Sequence, residues 1–173
     1  MAAVKDRDPL LAITQLILRI LIAIMGLLIA AGLVAVAALL LVPGQQFAPA
    51  LTDASRGTVW WVTMGAAMLI AILALGIAFT LNLTRIIATV GHDDPFRPEN
   101  ADRLARMAWL TLVAQLCGLI LVPIVRVIAS HIGEGRPDFG PSFDGFILAL
   151  VLFILARVFR RGTQMRDDLE GTV

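Results

Sequence analysis

Four long apolar runs, separated by short polar ones, set the plan of this chain. The first, residues 10–42, is interrupted only by Thr14, Gln15 and Arg19. At about 1.5 Å per residue it makes about 50 Å of helix, against a hydrocarbon core of about 30 Å. The membrane span is therefore placed at 20–42, with Arg19 snorkelling to the interface and 10–18 near the headgroups. Asp8-Pro9 starts this helix, because proline at the first helical position gives up only an N–H that would have no partner. Residues 58–90 form the second run, entered at Trp60-Trp61 and leaving the hydrocarbon near Asn82, Thr84 and Arg85, with a span at 58–82 and a helical end stopping at Gly91. The third run carries a span at 107–132, with Arg103 and Arg106 at its entrance and a kink expected at Pro123. The fourth, 145–159, is short, and Arg157, Arg160 and Arg161 close it. The pattern predicts an all-α integral membrane four-helix bundle in a single domain, built from two helical hairpins. A central loop (83–106) and a polar, mobile tail (160–173) complete it.

Composition agrees: 59% of residues are hydrophobic and 16% charged, with a mean hydropathy of +0.89, against about 25% charged in soluble domains. Net charge is +1, which gives no electrostatic case for direct nucleic-acid binding. The distribution of charge says more. Eleven of the fourteen Lys and Arg fall in the N-terminal segment (Lys5, Arg7, Arg19), the central loop (Arg85, Arg97, Arg103, Arg106) and the tail (Arg157, Arg160, Arg161, Arg166). By the positive-inside rule both termini and the central loop face the cytoplasm, giving a multi-pass membrane protein with N-in and C-in topology.

Candidate chemistry is sparse. All thirteen Asp and Glu lie in loops, termini or helix ends, so the intramembrane carboxylate of a proton-coupled transporter is missing. Gln115 and Arg126 are the polar groups expected within the membrane, Gln115 bonding a neighbouring helix and Arg126 reaching the outer interface. The adjacent His92, Asp93 and Asp94 do not converge as metal ligands do, and His131 falls at the far end. Neither a nucleophile–base set nor a phosphate-binding glycine loop appears, so no enzyme activity, cofactor or metal is expected. Small residues at a spacing of four (Gly26 with Ala30, Ala114 with Gly118, Gly145 with Ala149) suit helix packing within one bundle and allow a homo-oligomer. What remains is a surface of mixed charge, made of Arg97, Arg103 and Arg106 with Asp94, Glu99 and Asp102, and of Arg160 and Arg161 with Asp167 and Asp168. It suits pairing of loop with tail, docking of a partner, or contact with membrane lipids.

Two stretches also carry a family resemblance. Asp94-Pro95-Phe96-Arg97-Pro98-Glu99-Asn100 followed by Arg103-Leu104, and Val158-Phe159-Arg160-Arg161-Gly162 with Asp167-Asp168-Leu169-Glu170-Gly171-Thr172-Val173, resemble the bacterial membrane family DUF2975, over essentially the whole chain. Arg97 departs from the Ser or Thr expected there, so the helix start relies on Pro98 and Glu99. The resemblance implies no established activity. It implies a small membrane protein in a bacterial inner membrane, paired with a Cro-type helix-turn-helix regulator. The surface expected to dock that regulator is the charged one of the central loop and the tail: Asp94, Phe96, Arg97, Glu99, Asn100, Arg103, Arg106, Arg160, Arg161, Asp167 and Asp168. A transporter or channel for a lipophilic or small-molecule substrate, using Gln115, Thr111 and Thr80, and a structural subunit of a membrane complex are the competing expectations.

Overall fold

The computed structural model describes residues 9–41, 56–90, 97–132, 140 and 142–170, the last five of these as backbone. Among them are four helices and no strand: α1 (Pro9–Leu41), α2 (Arg56–Val90), α3 (Pro98–Ile132) and α4 (Asp144–Glu170). Each packs chiefly on its neighbour in the chain, so α2 and α3 lie in the middle and α1 and α4 at the flanks.

α1 meets α2 along one seam. Most of its half-buried or buried positions, Leu11, Gln15, Leu18, Ile22, Met25, Ile29, Gly32, Val36 and Leu39, are spaced alternately by four and three, with Gly26 and Ala38 beside the stripe. That period of 3.5 keeps one stripe against an antiparallel neighbour. Ile70 lies over Gly32, and the Met25 methyl lies over Gly76. The remaining faces of α1 are exposed apolar surface, including Leu10, Leu27, Val34 and Leu41. Gly65 of α2 does the same for α3: a Cβ there would stand 3.3 Å from Ile124 and Ile128. By contrast Gly26 and Gly118 face open space, so those two small residues do not bring helices together within the chain.

The most buried apolar cluster lies at one end of α2, α3 and α4. Leu104, Met107, Ala108, Leu152 and Ala156 form its centre, with Phe79, Leu83, Ile86, Phe153 and Phe159 packed around it. α3 and α4 run antiparallel, Asp102 meeting Arg160, Trp109 meeting Phe153 and Gln115 meeting Ser142. The start of α4 thus stands beside the middle of α3, which continues for about 25 Å beyond it. Together these pairings bring the start of α1, the end of α2, the start of α3 and the end of α4 to one end of the molecule.

α1 is one unbroken helix, as its continuous apolar run implies. Pro123 lies inside α3, which continues through it. The structure departs from the sequence pattern at the polar tail, which was expected to be mobile and instead continues α4 as helix to Glu170. Among the described residues three helices are long and apolar enough to cross a membrane: Leu10–Leu41, Gly57–Thr89 and Pro98–His131. α4 is not among them, since its apolar stretch of about 22 Å is closed by Arg157, Arg160 and Arg161.

Candidate functional site: the charged end of the helices

The α2–α3 junction is held by side chains of the charged segment itself. Asn100 N–H bonds the Arg97 carbonyl at 3.0 Å, which opens α3 without a Ser or Thr cap. Arg97 is exposed and Glu99 stands in the first turn, where a carboxylate favours the helix dipole. Asn100 is fully buried, donates through Nδ2 to Thr89 Oγ1 of α2 at 2.9 Å, and accepts from Arg103 Nη1 at 2.9 Å. Sequence reasoning placed Asn100 and Arg103 on a partner-facing surface. Asn100 instead turns inward and clamps two helices, and Arg103 is half-buried beside it. The clue was the spacing of Asn100 and Arg103 by three, which puts both on one helix face.

Arg106 is exposed on the same helix. Arg160 Nη2 bonds Asp102 Oδ1 at 2.9 Å, each side chain 59% exposed, and so ties the end of α4 to the start of α3. Arg161 is exposed next to it, while Thr163 is buried and bonds the Phe159 carbonyl at 3.0 Å. Asp94 and Phe96 fall outside the described residues, as do His92, Asp93 and the side chains of Asp167 and Asp168.

Polar groups deeper in the helices are spent locally. Gln115 Nε2 donates to the Ser142 carbonyl at the entrance of α4, a bond to a neighbouring element as expected. Thr80 and Thr111 bond the carbonyls of Gly76 and Met107 at 2.8 and 2.9 Å, the usual answer where lipid offers no partner. Asn82 gives its amide to the Ala78 carbonyl, leaving a buried Oδ1 without a partner. Arg126 is exposed toward the other end of α3. His131 lies one turn further along and donates from Nδ1 to the Val127 carbonyl at 2.7 Å. Among the described residues no three potential metal ligands come together.

The family model of DUF2975, a protein family of unknown function, matches residues 46–173. The chain belongs to the DUF2975 family. The match begins after α1, so the resemblance expected over essentially the whole chain is shown for α2, α3 and α4 and leaves α1 outside. No curated protein and no solved structure matches the chain. With three apolar helices of spanning length, this DUF2975 member is a membrane protein.

Proposed function

We propose that this DUF2975 protein is a non-catalytic anchor in a bacterial inner membrane, with both termini in the cytoplasm, that docks a cytoplasmic helix-turn-helix regulator on its charged end. The observation that carries the reading is the continuation of α4 as helix through its polar tail, tied to the start of α3 by Arg160 and Asp102. Two helices thereby present one composite surface. Arg97, Glu99, Arg106 and Arg161 are exposed there, and Asn100 and Arg103 hold its base rigid. Mixed charge at a rim favours selective docking of a protein over a polyanion. The clustering of Lys and Arg at this end orients it to the cytoplasm.

Transport through the bundle has less support, because Gln115, Thr80 and Thr111 all use their hydrogen-bonding groups on backbone carbonyls of the chain.

Co-purification of the tagged protein from its own host in mild detergent tests the reading. A regulator is expected with the native chain and is lost when Arg106→Glu is combined with truncation after Gln164, with membrane insertion unchanged. Recovery of membrane proteins alone contradicts it.

A further inference from the structure

A groove of about 720 Å³ runs along the seam between α3 and α4. Trp109 and Phe153 line its apolar end, their rings edge to face with centroids 5.4 Å apart. Arg157, Arg160, Arg161 and Gln164 line the other, and no described acidic side chain lines it anywhere. The three arginines, spaced by three and four, share one side of α4. Arg160 shares its charge with Asp102, whereas Arg157 and Arg161 have no acidic partner among the described residues. The groove is therefore polarised, with two uncompensated guanidinium groups above and an aromatic floor below. It also sits where the apolar stretch of α4 ends, which is where a spanning helix meets the headgroups.

We propose that this groove binds one anionic phospholipid, its phosphate on Arg157 and Arg161 and its acyl chain over Trp109 and Phe153. Guanidinium groups take phosphate oxygens in a planar fork, and a soluble anion would leave the aromatic half unfilled. Trp109 is 60% exposed, so its ring is open to a chain lying along the seam. The inference rests on the membrane placement of the helices and not on regulator docking, and its readout involves no cytoplasmic partner.

The test uses Trp109 as the reporter. Trp60→Phe with Trp61→Phe leaves it the sole tryptophan of three, and the full chain is placed in vesicles containing phosphatidylglycerol or phosphatidylcholine with brominated acyl chains. Phosphatidylglycerol is expected to quench at lower mole fraction, by roughly fivefold for each arginine engaged. Arg157→Gln with Arg161→Gln is expected to remove the preference while the helical circular dichroism stays unchanged. Equal quenching by both lipids, or a preference that survives the double substitution, overturns the proposal. So does relief of quenching by millimolar soluble glycerol phosphate, which would mark a site for small anions. Native mass spectrometry of the unsubstituted chain supplies a second readout: retained phosphatidylglycerol adducts support the site, and equal retention of phosphatidylcholine overturns it.

Discussion

Arg160 of α4 and Asp102 of α3, 58 residues apart in sequence, are joined by a 2.9 Å hydrogen-bonded ion pair at the charged end of the molecule. Both side chains are 59% exposed, so water screens the pair and its contribution to stability is small, about 0.2–1 kcal/mol. Its consequence is register: it adds to the packing of Leu104 and Met107 against Leu152 and Ala156 in setting which turn of α4 stands beside the first turns of α3. Arg160→Asp should lower thermal stability in detergent only slightly, and Arg160→Asp with Asp102→Arg should restore the native helix spacing. A double-mutant cycle, with a spin-label distance between the two helix ends, reads both. A coupling energy indistinguishable from zero with unchanged spacing would show that the pair sets nothing.

Two asparagines should respond in opposite ways. Asn100 is fully buried with its amide bonded to Thr89 and its carbonyl to Arg103. Asn100→Leu should destabilise by about 1–3 kcal/mol, since it leaves the half-buried Arg103 guanidinium without its acceptor and removes the bond between helices to Thr89, whose hydroxyl keeps only the Ile86 carbonyl. Asn82 keeps an orphaned acceptor, and Asn82→Leu removes it at similar volume. That change should be neutral or stabilising. Thermal unfolding of the two variants side by side is the measurement, and an equal loss from both would contradict the assignment.

Much of the fold was legible because membrane helices announce themselves by length and apolar content, and α1, α2 and α3 all do so. The helical start at Pro98 followed from proline and Glu99 in a segment that had no other cap. The continuation of α4 was not legible. Gly162 suggests a stop, and its override comes from packing, with Thr163 buried one residue later. The exposed charge of Arg97, Glu99, Arg106, Arg160 and Arg161 was legible, but the place of Asn100 was not, because sequence cannot separate an asparagine on the surface from one bridging two helices. The groove at Arg157 was missed because its lining joins Ala105 and Trp109 of α3 to residues of α4 that are more than 40 positions away in sequence.

Where α4 begins gives a depth prediction. Arg106 and Arg126 are separated by about 30 Å along α3, one hydrocarbon thickness, and Gln115 with its bonded partner Ser142 falls near the middle. In a Cys117→Ala background, a nitroxide at Phe143 should report nearly the depth of one at Leu116, far from either interface. A label at Phe143 that reads as aqueous would require α4 to cross the whole bilayer.

Helix approach at Gly65 is the close contact of the middle pair. Gly65→Ile would drive new methyl groups into Ile124 and Ile128, already 3.3 Å from a bare Cβ, and should cost about 1–3 kcal/mol. Gly118→Ala, with nothing within 4 Å of the added carbon, should leave stability unchanged. Thermal unfolding in detergent separates them, and the reverse order would mean that the α2–α3 contact is misplaced.

Docking at the charged end is tested most directly by site-specific photo-crosslinking in living cells. Photoreactive residues at Arg106 and Met165, both exposed at that end, and at Leu28 on the outer face of α1 provide the comparison. An adduct with a soluble helix-turn-helix protein is expected from positions 106 and 165 and none from 28. Adducts from 106 and 165 only with lipid or with other membrane proteins would contradict it.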